Sequence, residues 1–162
     1  MNKNLTIAMT AALMMSGGVA QAQDVNIGRN NITLKSDLMT PEALWAMGRI
    51  GAAQASPDGK RIVYQVGYYS VKENKGHQVL RVMDADGKND RLLTTSAKSE
   101  GDAAWLDNNT LAFLTGGQLW TMNADGTNRK QLTHSDIDIE GFRFSPDRKR
   151  VVLIKSIPYY GT

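Results

Sequence analysis

The chain has 162 residues and a formal net charge of +3, with 41% hydrophobic and 22% charged residues and no cysteine. Such a composition is globular rather than disordered. Its near-neutral charge balance argues against nucleic-acid or anionic-lipid binding, and the lack of cysteine excludes disulfides, thiolate metal sites and a cysteine nucleophile. The densest basic run, Arg148-Lys149-Arg150, lacks interleaved aromatic stacking partners and reads as a solvated turn.

The chain opens with Met1-Asn2-Lys3-Asn4, a mostly apolar stretch from Leu5 to Val19, and Ala20-Gln21-Ala22. A short basic start, an apolar middle and a small-x-small end form the three-part layout of a secretory signal peptide. The apolar stretch is too short and too interrupted to span a bilayer, which takes about 20 apolar residues. Cleavage after Ala22 would make Gln23 the first mature residue, with no Cys to carry a lipid, so the expected location is the periplasm or outside the cell, with no stable membrane anchor. Residues 23–49 then form an extension. Within it, Thr40-Pro41-Glu42 supplies an N-cap, a first-position proline and a first-turn acid, which predicts a helix from Pro41 to about Met47. Leu44 and Met47 should share the face that docks on the rest of the chain.

From residue 50 onward the chain repeats. Val82 to Thr94 and Thr121 to Thr133 match at seven of thirteen positions, and their Asp-Gly pairs begin 39 positions apart, at Asp86 and Asp125. A second motif recurs in another phase: Ala55-Ser56-Pro57-Asp58-Gly59-Lys60 resembles Phe144-Ser145-Pro146-Asp147-Arg148-Lys149, with Trp105-Leu106-Asp107-Asn108-Asn109 playing the same part between them. Ser-Pro-Asp-Gly is a tight turn, because Pro fixes φ, Asp bonds back to the backbone and Gly accepts positive φ. The runs after it, such as Arg61-Ile62-Val63-Tyr64-Gln65-Val66, are β-branched and alternating, and Gln118 to Met122 alternates so that Leu119 and Thr121 oppose Trp120 and Met122. Ala-Asp-Gly makes the next hairpin turn, and a short strand ending in Leu-Thr closes each unit. Four short antiparallel strands in about 40 residues describe a propeller blade. The fold class expected is all-β, a partial β-propeller over 50–162 with blades at about 51–94, 101–133 and 137–162. The first blade carries about 11 extra residues. A β-sandwich with accidental similarity is the competing fold. Two and a half blades alone would leave apolar faces bare, since a repeat array needs neighbours to bury them.

The run Leu38-Met39-Thr40-Pro41-Glu42-Ala43-Leu44-Trp45, then Arg49-Ile50, then Ala55-Ser56-Pro57-Asp58-Gly59-Lys60-Arg61-Ile62-Val63-Tyr64 resembles the start of prolyl oligopeptidase family members, in the branch of acylaminoacyl peptidases and bacterial dipeptidyl peptidases. Ser-Pro-Asp-Gly alone is also carried by TolB-type propellers; the preceding helix adds most of the specificity. The resemblance implies a propeller that restricts access to a C-terminal α/β-hydrolase domain, whose Ser, Asp and His act on peptide substrates. This chain contains no Gly-x-Ser-x-Gly elbow, so no catalytic residue carries over. The reading is the propeller part of an exported serine peptidase of dipeptidyl, acylaminoacyl or oligopeptidase type. The rival is a TolB-type propeller that binds proteins and does no chemistry.

Other chemistry is sparse. His77 and His134, the only histidines, lack triad or metal spacing and read as exposed loop residues. Asp84, Asp86, Asn89 and Asp90 imitate a calcium loop, but their Gly comes too early and no Glu closes the loop; a hairpin turn explains them. No cofactor is expected. Tyr68 and Tyr69 lie in the extra part of the first blade, and Tyr159 and Tyr160 begin a similar extension. Insertions of this kind gather on one rim. These four tyrosines either face the hydrolase domain or its substrate cavity, or are solvent-facing strand extensions.

Overall fold

The computed structural model describes residues 27–29, 32–33 and 37–159; the leader and Tyr160 lie outside them. Among the described residues there are ten strands and one short helix, so the fold is all-β. The helix, α1, covers Pro41–Ala46. Strands β1 (Arg49–Ala55), β2 (Arg61–Ser70), β3 (Lys75–Asp84) and β4 (Arg91–Leu92) form one antiparallel sheet in chain order. Strands β5 (Glu100–Trp105), β6 (Thr110–Thr115), β7 (Gln118–Asn123) and β8 (Lys130–Gln131) form a second, and β9 (Gly141–Phe144) pairs with β10 (Val151–Ile154) in a third. The extra residues of the first repeat are not a loop. They lengthen β2 and β3 to ten residues each, against six each in β6 and β7, so the first hairpin projects beyond the second.

The turns follow from their residues. In the first repeat Ser56 Oγ donates to Asp58 Oδ1 (2.6 Å) and accepts from Arg61 N (3.0 Å), while Gly59 takes φ +69°. Ser145, Asp147 and Arg150 repeat both bonds, but the glycine position holds Arg148 at φ +58°, a conformation costing a non-glycine residue about 1 kcal/mol. At the Asp-Gly hairpins Gly87 and Gly126 take φ +83° and +88°, and Asn89 and Asn128 come next at +53° and +52°. Asp84 N and Asn123 N close the two hairpins on Lys88 O and Thr127 O. The recurring Leu-Thr also has a defined task. Leu93 N and Leu132 N donate to Leu80 O and Leu119 O, and Leu80 N and Leu119 N donate back to the Thr94 and Thr133 hydroxyls, so a threonine side chain extends each short outer strand by one rung.

The sheets stack in sequence order. One core joins Val63, Leu80, Val82 and Leu93 of the first sheet to Trp105, Leu111, Phe113, Met122 and Ala124 of the second. Another joins Ala112 and Leu119 of the second to Ile139 and Phe142 at the third. The middle sheet is therefore buried on both faces, which explains why Leu111, Ala112 and Phe113 are all fully buried although neighbours on a strand point opposite ways. Leu119 faces one core and Trp120 and Met122 the other, as the alternation predicts. Each large side chain removed from water here contributes about 1.5–3 kcal/mol. Polar links cross the same seam. Trp105 Nε1 donates to Gln54 O (3.0 Å). Arg129 Nη2 donates to Leu93 O at 2.9 Å, and Thr94 Oγ1 donates at 2.9 Å to the buried Glu100 of β5, which Arg129 of the same sheet also holds at 2.7 and 3.0 Å.

Two expectations need correction. Helix α1 ends at Ala46, with Met47 as its C-cap, and it docks through Ala43; Leu44 and Met47 are exposed. Ala43 is the buried residue of the helix, at 1% exposure. His77 is not an exposed loop residue. It lies on β3 and is buried, with Nδ1 2.8 Å from Ile27 O and Nε2 3.4 Å from Lys98 O. Ile27, itself buried, lies against the outer face of the first sheet at His77. His134 is exposed in the loop after β8.

Candidate functional site

The end of the first sheet that bears the β2–β3 turn also carries α1, and the candidate side chains gather there. Strand parity separates the two adjacent tyrosines. Tyr68 pairs across the ladder with His77 and shares its face with Val66, whereas Tyr69 pairs with Gly76 on the opposite face. Tyr68 lines two adjoining grooves of about 710 and 610 Å³. The larger is also walled by Arg29, Met47, Tyr64, Arg81 and Asp90, the smaller by Ile27, His77 and Thr94 to Ala97. Tyr159 is 92% exposed and touches neither groove; Tyr160 lies outside the described residues. The structure thus gives Tyr68 and Tyr69 one end of one hairpin, on opposite faces, and does not bring Tyr159 to them.

Inside the larger groove the polar groups satisfy one another. Arg81 Nε and Nη2 donate to Asp90 at 3.1 and 2.7 Å, and Tyr64 Oη donates to Asp90 at 2.7 Å. The Arg81 guanidinium beside it holds the Asp90 carboxyl below its ordinary range. Burial, and then the hydrogen bond to Asp90, push the Tyr64 hydroxyl up. Asp90 is therefore occupied by an arginine and a tyrosine, Asp86 accepts from Lys88 N and Nζ, and Asp84 accepts from Asn89 Nδ2. These contacts account for the carboxylates that imitate a calcium loop, and among the described residues no group of three His, Asp or Glu side chains is placed to hold a metal.

On the other face lies a cluster that sequence reasoning missed. Arg49, the first residue of β1, sets its guanidinium 4.8 Å from the Trp45 ring centre and 4.7 Å from that of Tyr69. The two rings meet edge to face, 5.8 Å apart, a favourable aromatic geometry. Trp45 and Tyr69 also border a third groove, of about 420 Å³, with Pro41, Glu42 and Val71. Trp45 and Arg49 are four positions apart across the helix end, but Tyr69 joins them only through the pairing of Arg49 with Gly67, so no local pattern announced the cluster. This end therefore carries aromatic side chains, a cation beside two of them and open grooves.

Consecutive antiparallel sheets stacked face on face, with aromatic and charged side chains gathered at one end, define an all-β repeat scaffold. No protein-family model matches the chain. The dipeptidyl-peptidase 5 of Porphyromonas endodontalis is 31% identical to it over 160 residues, 96% of this chain. That of Porphyromonas gingivalis is 36% identical over 164 residues, 98% of this chain. The chain spans 23% of the length of each. Two solved structures share the fold over 68% of the chain: an acylaminoacyl peptidase of Pyrococcus horikoshii (TM-score 0.54, 12% identity, 17% of its own chain) and an oligogalacturonate lyase in complex with manganese (TM-score 0.53, 19% identity, 35% of its own chain). Along nearly its whole length the chain is homologous to dipeptidyl-peptidases of the prolyl oligopeptidase family.

Proposed function

We propose that this chain forms the first blades of a β-propeller that admits peptides to an exported serine peptidase of dipeptidyl, acylaminoacyl or oligopeptidase type. The observation that carries the reading is the identity of 31% and 36% to two dipeptidyl-peptidases along nearly the whole chain. The stacking order supports the propeller. Each sheet covers the next, the middle one is buried on both faces, and β1 and β5 each bond to a single neighbour, leaving a free edge of the kind that lines a propeller's axis. The fold alone would not decide the chemistry, because a lyase shares it.

In this reading the chain contributes no nucleophile. The Ser, Asp and His come from an α/β-hydrolase domain elsewhere in the whole protein, and the propeller passes short or unfolded peptides while excluding folded ones. The leader Met1 to Ala22 supports export. Expression of the full-length gene followed by labelling with a serine-directed fluorophosphonate tests the proposal. A labelled serine outside residues 1–162 and a mature N-terminus at Gln23 are expected. A full-length protein that takes no label and retains Met1 in the cytoplasm would refute it.

A further inference from the structure

We propose that α1 and the tip of the long β2–β3 hairpin form the docking platform for the hydrolase domain, and that the opposite end of the stack stays clear of it. The inference deepens the peptidase reading and rests on it. It starts from where large apolar side chains stand exposed. Strand directions define two ends: α1 and the β2–β3 and β6–β7 turns share one, and the β1–β2, β3–β4, β5–β6, β7–β8 and β9–β10 turns share the other. In the turns of that second end, over 56–60, 85–90, 106–109, 124–129 and 145–150, no large apolar side chain is exposed. Their carboxylates are engaged locally, since Asp58, Asp86, Asp107, Asp125 and Asp147 each accept from the backbone amide two residues on. At the first end Ile32, Trp45, Met47 and Val71 are 43–69% exposed. Ile32, Trp45 and Val71 line one groove, and Ile32 and Met47 line another, so the four make one patch.

A contiguous exposed apolar patch marks a contact surface. Further blades do not supply this contact. Blades cover one another on their faces, as the two cores do, and Val152 and Ile154, on the face of β10 away from Leu153, are placed for such a cover. An end is met only by something outside the ring. The long hairpin makes that contact one-sided, because its four extra rungs carry it about 13 Å beyond the second sheet. The platform is also held together. The Tyr69 ring lies against Gly67 and Gly76, where a Cβ would stand 3.5 and 3.2 Å from it, and Trp45 of α1 meets that ring edge to face at 5.8 Å. The occupant belongs to the same protein. In one dipeptidyl-peptidase relative 160 aligned residues are 23% of the length, which is therefore roughly 700 residues. Even eight blades of about 45 residues use only about 360, which leaves a comparable length for a domain that is not a blade. A second copy of the chain is the competing occupant.

Cross-linking mass spectrometry of the full-length protein, mixed in equal parts with heavy-isotope material, reads the contact. Lys72 and Lys75 stand exposed at the hairpin tip, and Lys60, Lys88 and Lys149 stand exposed at the other end. Links within one molecule should join Lys72 or Lys75 to the non-blade region, and Lys60, Lys88 and Lys149 should make none to it. Met47→Glu, Val71→Glu, which charges the patch at two exposed positions, should abolish the links from the tip. Links to the non-blade region from the opposite end, or none from the tip, overturn the proposal in the wild type, a comparison that needs no variant to fold. Mixed-isotope links from the tip overturn it in favour of a second copy, and links unchanged in the double variant overturn the role of the patch. Labelling with a serine-directed phosphonate on the same sample separates the two readings. A tip linked to a non-blade region that takes no label sustains the platform and refutes the peptidase; a labelled serine in a region linked to the other end does the reverse.

Discussion

The Glu100–Arg129 pair lies within the second sheet and anchors the bonds that tie it to the first, and its loss should be asymmetric. Glu100 opens β5 and its side chain is 1% exposed; Arg129, just before β8, is 23% exposed. Around them Arg129 Nη2 donates to Leu93 O of the first sheet, Thr94 Oγ1 donates to Glu100, and the guanidinium lies 5.1 Å over the Phe113 ring. Removing one partner of a buried pair costs about 3–5 kcal/mol, because the other charge stays desolvated. Arg129→Met strands the deeper carboxylate and also gives up the cation–π contact, so its cost belongs at the top of that range. Glu100→Met strands a cation that can turn toward water, so its cost belongs at the bottom, about 3 kcal/mol. The double Glu100→Met, Arg129→Met variant leaves no orphan and should lie within about 1 kcal/mol of the wild type, or above it. Urea unfolding monitored by the emission of the buried Trp105 gives the three free energies. If the two single losses simply add in the double variant, to within about 0.5 kcal/mol, the residues are not coupled and the reasoning fails.

Local structure supports three smaller predictions. Arg148→Gly should raise stability by about 0.5 kcal/mol, since relief of positive-φ strain exceeds the added freedom of the unfolded chain; a lower melting temperature would contradict this. Asp58 and Asp147 are both held below their ordinary value, first by the hydroxyls of Ser56 and Ser145 and then by backbone amides. A carboxylate depressed in the folded state adds stability that is complete above the unfolded value near 3.8 and is lost as pH falls below it, so Asp58→Asn, Asp147→Asn should flatten the fall in stability below about pH 4. An unaltered acid slope would refute that account. In the full-length enzyme, Tyr68→Ala, Tyr69→Ala should lower kcat/KM for peptides by opening the shared end on both faces; an unchanged value would remove these residues from the substrate path.

Much of the architecture is written in local signals. Strand alternation in Gln118 to Met122, the Ser-Pro-Asp turns and the Asp-Gly hairpins each act over a few residues, and so they reveal both strands and repeat. The Thr40 cap marks the start of α1 for the same reason: its hydroxyl accepts from Ala43 N at 3.2 Å. The misreadings are all products of contacts distant in sequence. His77 stands in a polar stretch with nothing nearby to say that Ile27, 50 positions earlier, brings its carbonyl to the ring nitrogen. Leu44 and Met47 look like the docking face of α1 because they are apolar, but the turn of the helix that meets the sheet presents Ala43. The 11 extra residues read as an insertion at one rim, with a strand extension among its readings, because length alone cannot show whether two strands grow or their connection does. Tyr68 and Tyr69 read as one pair until the register with His77 and Gly76 puts them on opposite faces. Arg49 and the Glu100–Arg129 bridge are missed because their partners come from separate strands.

The central claim is that this stack of sheets serves a peptidase. Mass spectrometry of the products formed when the purified full-length protein meets unblocked oligopeptides tests it most directly. The account predicts release of short N-terminal pieces, dipeptides first among them, that stops when a serine-directed phosphonate is added. Peptides left intact, or cleavage indifferent to the phosphonate, would contradict it.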